Sequence, residues 1–541
     1  MAACMFFLAL AAAGCNAVAS EPTRPNVVLV YVDDLGYGDL GFTGHPTAET
    51  PNLDRLASLG LRLTSWYTAY PVCSSSRTAL LTGRQPPRVG MFGVINSLSV
   101  AGLPLNETTL ADALPSDYRK LAIGKWHQGQ RPEYRPTNRG FTDFLGIPFS
   151  VDDGVGYVSN CSAAEGAVDG GTRVGLGPEL PLPLIKQGSG VSEIVEQPTD
   201  LRLLTSRFAA EIRNFTSTAV HDGKPFFAYI APGHVHTATP NISPTRQYAG
   251  CDFVNATLRG PFGDALAEAD WLVGTVAELL VELGVDKDTL LLFASDNGPS
   301  LRWGEGAGSV GIFSGSAAAY GNGTSYANNG KGSTWEGGIR MPAFAYWPGT
   351  IAPHTSTPAV VSSMDVLPSL VELTGGTLPP APLDGKPSLA RILTVPGAHS
   401  DHVFLPFYNN PAINETASLM FAARFKFEGV WYKLHWLTSP GLQGGRWPEG
   451  GPAPVLAHDP PLVFAVDKDP GEVYPLGGET LPNGLFTAAA AAKQAYEASL
   501  TPTSVDPAWG YQWALCCGVG CNPPCDCMCN GSVPLPPPGG V

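Results

Sequence analysis

Asp33 with Asp34, His234 with His236, and Asp296 with Asn297 form three pairs of chemically capable residues, and each pair closely follows a short apolar run. Three carboxylates and an amide oxygen are hard donors that suit Ca2+ or Mg2+ and not zinc. Taken singly, such residues are ordinary helix caps and turn formers, so the weight lies in their shared placement. Cys73 lies in Pro-Val-Cys-Ser-Ser-Ser-Arg77, just ahead of a helical stretch that ends at Gly83-Arg84. There it would sit at a helix start, where backbone N–H groups favour an anion, with the Arg77 fork one turn in; a buried structural thiol is the plainer reading. Lys125 and His127 are two residues apart, which would put them on one face of an extended segment. Lys331 follows a glycine-rich loop. An oxygen-ligated cation, several side-chain cations and a nucleophile position at a helix start suit a tetrahedral anionic ester, because such a site stabilises negative charge developing on oxygen. Hydrolysis at sulfur or phosphorus is the reaction class this implies.

The three runs, residues 26–32, 226–231 and 290–294, are nearly continuous apolar segments of the kind buried on both faces of a parallel sheet. Between them apolar residues recur at three- and four-residue steps over 52–59 and 264–283, which predicts helices and hence an α/β domain. In such sheets the ligand crevice lies beyond the carboxyl ends of the strands, so the pairs above could meet despite their separation in sequence. From about residue 400 the pattern changes to strands over 420–424, 427–435 and 462–466 with Gly/Pro turns, followed by an alanine-rich helix over 487–500. The expected organisation is a signal peptide over 1–19, a catalytic α/β domain over 20–400, a smaller α+β subdomain over 401–510 and a cysteine-rich tail over 511–541. Residues 151–197 and 301–330 are rich in small and polar residues and read as surface loops.

The chain has 541 residues, with Gly 63 and Pro 51, which is too loop-rich for a coiled coil or helical bundle. A net charge of -15 repels phosphate backbones and argues against a nucleic-acid partner. Residues 2–13 are apolar and precede Ala17-Val18-Ala19, a small-x-small cleavage pattern, so the chain is expected to enter the secretory pathway. Ala12-Ala13-Gly14-Cys15 also weakly resembles a lipoprotein cleavage box, and no later segment reads as transmembrane. Six of the Cys 11 crowd residues 516–529 without a nearby histidine, the mark of disulfides more than of zinc. If Cys161 and Cys251 also pair, Cys73 is left over. Asn-x-Ser/Thr sequons at Asn106, Asn160, Asn214, Asn241, Asn255, Asn322, Asn414 and Asn530 fit a secretory chain.

The segments 25–39, 50–54, 73–84, 124–127, 260–264, 296–298, 330–342, 363–368 and 469–472, with the Cys516-Cys517 tail, together resemble the type I, formylglycine-dependent sulfatases, the arylsulfatases in particular. The resemblance spans nearly the whole mature chain. It implies an alkaline-phosphatase-like fold: a large mixed, mainly parallel sheet sandwiched by helices, with a smaller C-terminal domain carrying an antiparallel sheet. It also implies that Cys73 is oxidised by a formylglycine-generating enzyme to an aldehyde and hydrated to a diol. One hydroxyl attacks sulfur and releases the alcohol; the other then expels sulfate. Carried over residue by residue, Asp33, Asp34, Asp296 and Asn297, with residue 73, would hold Ca2+ or Mg2+. Arg77 and Lys125 would steady the diol, His127 would act as base, and His236 and Lys331 would bind sulfate and assist the leaving alcohol. Ser150 matches a substrate-pocket serine.

The resemblance further implies a sulfated small-molecule, glycolipid or glycan substrate, in a lysosome-like or extracellular setting, with homo-oligomerisation left open. Three departures stand out: Ser75 replaces the proline normal two residues after the cysteine, proline comes only at Pro240 after His236, and the 301–330 loop is long. Two alternatives remain at this stage. One is a phosphonate or phosphodiester hydrolase with the same site; the other is an inactive binder of sulfated ligands whose Cys73 stays a thiol.

Overall fold

The computed structural model describes residues 24–158, 161, 172–174, 181–238, 247–313, 330–409, 419–439, 455–501, 503, 505 and 515. The expected signal peptide, the tail cysteines Cys516 to Cys529, Pro240 and the sequons at Asn160, Asn241, Asn322, Asn414 and Asn530 lie outside the described residues. Asn106, Asn214 and Asn255 are exposed.

The three apolar runs become neighbouring parallel strands. Asn26–Val32 pairs with Phe226–Ala231 on one side and with Thr289–Ser295 on the other, and Arg119–Lys125 and Asp143–Ile147 extend the parallel array. They are the core of a 10-stranded sheet. Its flanks are mixed: Ala343–Tyr346 runs antiparallel to Thr289–Ser295, and Leu184–Gly188 and Val191–Glu196 close the opposite edge as an antiparallel pair. Alternation along the strands serves two cores. Val28, Val30 and Val32 face helices Pro51–Ser58, Leu201–His221 and Gly260–Glu282, while Val27, Leu29 and Tyr31 face Cys73–Thr82, Val366–Thr374 and Ser388–Thr394. Burial on both faces is why these strands lack a polar side. In Leu201–His221 the inward residues Leu201, Leu204, Phe208, Ile212 and Phe215 recur at helical spacing, and Asp200 caps the start by accepting from the Arg202 amide.

Four antiparallel strands follow in chain order, Phe404–Asn409, Leu419–Phe427, Val430–Thr438 and Leu456–Phe464. Helix Leu485–Ala498 covers one face through Leu485 and Ala489. The other face meets the main body through Leu405, Phe407 and Ala422 against Tyr67, Ile339 and Met364. A buried ion network reinforces this contact: Lys433 Nζ lies 2.8 Å from Glu336 Oε1 and 3.0 Å from Glu472 Oε1.

Two local expectations need correction. Residues 151–197 are not all loop, because 184–188 and 191–196 are the last two strands at one side of the main sheet; the polar residues of the outermost, 191–196, hid the pattern, since an edge strand tolerates them. The extended segment at Lys125 to His127 also stops short, for the strand ends at Lys125 and His127 has φ 55°.

Candidate active site

Because the five central strands are parallel, their carboxyl ends share one edge of the sheet, and nearly every group singled out in the sequence arrives there. Asp33 and Asp34 leave the Asn26–Val32 strand, Asp296 and Asn297 the Thr289–Ser295 strand, and His236 the turn after Phe226–Ala231. Lys125 ends its own strand, and Ser150 follows Asp143–Ile147. Gly124 aims the lysine: it has φ 93°, and a Cβ there would fall 2.0 Å from the Ala231 carbonyl oxygen. Cys73 opens helix Cys73–Thr82, and Gly83 closes that helix in the left-handed region.

The side chains interlock. Lys125 Nζ donates to Asp33 Oδ2 at 2.7 Å and to Ser150 Oγ at 3.3 Å. Arg77 donates from Nε and Nη2 to Asp296 Oδ2 at 3.1 and 2.8 Å, and from Nη1 to the Tyr229 hydroxyl at 3.3 Å. Lys331 Nζ donates to Asp34 Oδ1 at 2.6 Å and lies 3.1 Å from Cys73 Sγ. The thiol sulfur is 3.5 Å from Asp33 Oδ1. His236 donates through Nδ1 to the Thr237 carbonyl at 2.8 Å, which turns Nε2 toward Asp34 Oδ2 at 3.6 Å. His234, its neighbour in the sequence, points away to Glu268 Oε2 at 2.8 Å. Its backbone instead braces Asp33, whose amide donates to the His234 carbonyl at 2.8 Å while Val235 N donates to the Asp33 carbonyl at 2.7 Å. Asp34 and His127 both carry positive φ, a conformation disfavoured for residues with a side chain and concentrated at functional sites.

Burial sharpens the electrostatics. It pushes the Cys73 thiol up despite Lys125 and Lys331 beside it, so the unmodified sulfur is a poor nucleophile. Burial, with Lys125 and Arg77 nearby, drives the His127 imidazole well below its ordinary range and keeps it neutral. Asp33 stays well below the carboxylate range in spite of burial, because Lys125 heads the cations around it.

Asp34, Cys73 and His236 form one group of close ligand atoms, and Asp33, Cys73 and Asp296 another, both fully buried. Asn297 Oδ1 is buried without a hydrogen-bond partner among the described residues, while its amide nitrogen donates to Asp34 Oδ1 at 2.7 Å. An orphaned acceptor beside three carboxylates is what a hard divalent cation requires, so the donor set fits the group expected from the sequence.

Two nearby acids escaped the sequence reading. Asp153 Oδ2 lies 3.7 Å from His127 Nε2, and Asp152 Oδ1 lies 3.8 Å from His236 Nδ1. The Asp-Asp doublet two residues after Ser150 was the available signal, but it lay inside a stretch read as loop. Ser75 is buried, and its hydroxyl reaches the carbonyls of Met91 and Gly93, both at 2.9 Å, fastening that loop to the start of the Cys73 helix. Cys161 and Cys251 are disulfide-bonded and Cys73 is free, as expected if they pair.

Comparison with known proteins gives the family of the chain. Residues 25–376 match the sulfatase family model, and residues 400–529 match the C-terminal region of aryl-sulfatase. Arylsulfatase A of Bos taurus is 37% identical over 97% of this chain and 98% of its own length. Arylsulfatase A of Homo sapiens is 38% identical over 93% and 95% respectively. The crystal structure of the PsFucS1 sulfatase from Pseudoalteromonas sp. superposes with a TM-score of 0.71 at 27% identity, covering 89% of this chain and 92% of that one.

Proposed function

The chain belongs to the sulfatase family and is a sulfuric ester hydrolase; from that premise we propose that it cleaves sulfate monoesters at residue 73, after conversion of Cys73 to formylglycine. Asp33, Asp34, Asp296 and Asn297 would hold a Ca2+ or Mg2+ ion, which when bound supplies positive charge to the sulfate oxygens. Formylglycine, once hydrated to a diol, would supply the hydroxyl that bonds to sulfur as the bond from sulfur to the alcohol oxygen breaks, and its second hydroxyl would then expel sulfate. The remaining work falls to the chain's own side chains. Lys125 and Lys331 converge on residue 73 and hold the sulfate oxygens, with Ser150 bonded to Lys125. Arg77 fixes the orientation of Asp296 through two donors to one oxygen. His127, neutral and buried, offers a lone pair to the hydroxyl proton of residue 73. His236, with Nδ1–H donating to the Thr237 carbonyl, would hand a proton from Nε2 to the departing alcohol oxygen in its doubly protonated form and be left as the Nδ1–H tautomer.

The observation that carries this reading is the free cysteine at a helix start, its sulfur 3.1 Å from Lys331 Nζ and 3.5 Å from Asp33 Oδ1. Substrates would be sulfated small molecules, glycolipids or glycans, met in the secretory pathway, in a lysosome-like compartment or outside the cell. A formylglycine-generating enzyme would be the maturation partner, and Ser75 makes the extent of conversion a property to measure. Mass spectrometry of the peptide containing residue 73, alongside turnover of an aryl sulfate and an aryl phosphonate, tests the proposal. An aldehyde with preference for the sulfate supports it; a quantitative free thiol in protein that still hydrolyses sulfate esters would refute it.

A further inference from the structure

Asp152 and Asp153 take no part in the scheme above, yet they make a more solvent-open rim beside its two histidines. Their side chains are 17% and 22% exposed, whereas those of Asp33, Asp34, Lys125, His127, His236 and Lys331 reach no more than 7%. Each acid stands behind one catalytic histidine, at 3.8 Å from His236 and 3.7 Å from His127. With the sulfate in the buried cation cluster, an alcohol half directed to the more exposed side of these rings would meet the two carboxyl groups. The rim is held in place: Ser97 Oγ donates to the Asp153 carbonyl at 2.7 Å, and Asp153 N donates to the Ser150 carbonyl at 3.1 Å. Burial and the neighbouring Asp152 push the Asp153 carboxyl up, while His236, working against burial, pulls the Asp152 carboxyl down. Asp152 is thus the member of the doublet whose charged form its surroundings favour, and the pair presents a cluster of hydrogen-bonding oxygens.

We propose that Asp152 and Asp153 select the leaving-group half of the substrate, favouring a sulfate monoester flanked by hydroxyl groups over one flanked by a second sulfate or a carboxylate. The inference rests on the sulfatase reading and names the substrate class for the same site. Hydroxyls can donate to the rim, whereas a second anion about 6 Å from Asp152 meets like charge at an effective dielectric near 20. For the isolated pair that is about a hundredfold, and the His236, Lys125 and Lys331 side chains near Asp152 reduce it toward about tenfold.

The test uses the full-length, formylglycine-bearing enzyme with two probes, 3-hydroxyphenyl sulfate and 3-carboxyphenyl sulfate. The quantity read is the ratio of their kcat/KM values in the wild type and in the Asp152→Asn/Asp153→Asn double variant, which cancels the probes' intrinsic reactivity. The expected result is a wild-type preference for the hydroxyl probe that shrinks at least tenfold in the double variant, through gain on the carboxylate probe. Asp152→Glu, which keeps the charge, should retain the preference, and added salt should weaken it in the wild type. An unchanged ratio in the double variant overturns the proposal. Equal loss on both probes also overturns it, because the residues would then only position the histidines. A wild type that hydrolyses neither probe nor any other sulfate ester overturns the hydrolase reading and this inference with it.

Discussion

Lys433→Met removes the one lysine that joins Glu336 to Glu472, three groups whose side chains are no more than 2% exposed. Glu336 also accepts from the Tyr67 hydroxyl at 2.7 Å and Arg340 Nη1 at 3.1 Å, and Glu472 accepts from the Glu336 backbone amide and from His435 Nε2, both at 2.7 Å. Burial would raise the Glu336 carboxyl, but Lys433, Arg340 and Arg424 together outweigh it and hold it below the ordinary range. Methionine nearly fills the lysine's space, so the substitution deletes the charge without opening a large cavity. Removing one partner of a buried pair costs about 3–5 kcal/mol, because the carboxylates are left dry and under-compensated. Urea unfolding followed by tryptophan fluorescence at pH 7 reads this cost. The double variant Lys433→Met/Glu336→Gln should lose less than the two single losses added together. The sign with pH is fixed: a carboxyl depressed in the fold stabilises above its unfolded pKa of about 4.3 and loses that contribution as pH falls below it. The gap between wild type and Lys433→Met should therefore hold from pH 7 down to about pH 4.3 and narrow as the pH falls further, toward the depressed folded value of about 2. An unfolding midpoint equal to wild type at pH 7, or a gap that widens in acid, would refute the reasoning.

Further outcomes follow from the site. Cys73→Ala should abolish turnover of an aryl sulfate while moving the unfolding midpoint by only about 1 kcal/mol, because one buried sulfur is lost and no charge is stranded; residual turnover above background would remove residue 73 from the mechanism. Asp296→Ala should weaken binding of Ca2+ or Mg2+, measured by calorimetry, and release Arg77 from its two-donor contact, so that activity and metal affinity fall together; full wild-type activity in excess chelator would contradict the metal assignment. His236→Ala should slow unactivated alkyl sulfates far more than 4-nitrophenyl sulfate, by roughly 100-fold or more, since only poor leaving groups need the proton. An equal loss on both substrate types would move the leaving-group role elsewhere.

The strands at 26–32, 226–231 and 290–294 were legible because burial on both faces forces an unbroken apolar run, and the groups that follow them were legible because functional residues must leave the strands at one edge. Sequence could likewise place Cys73 at a helix start and set it apart from Cys161 and Cys251. Residue type and position alone did not divide His234 from His236, since both follow the same strand; the sulfatase resemblance singled out His236, and the packing of Glu268 and Thr237 is what turns one ring away and the other inward. Nor could the sequence reveal Asp152 and Asp153 as a rim, or 184–196 as sheet, because edge strands and turns carry polar residues whose meaning depends on what lies across from them. The residue types that do the chemistry were thus written locally in the chain. Their distances, their protonation and the sharing of Asp34 among Lys331, Asn297 and His236 were decided only by folding, which brings positions some 300 residues apart within hydrogen-bond reach and removes the water that would screen them.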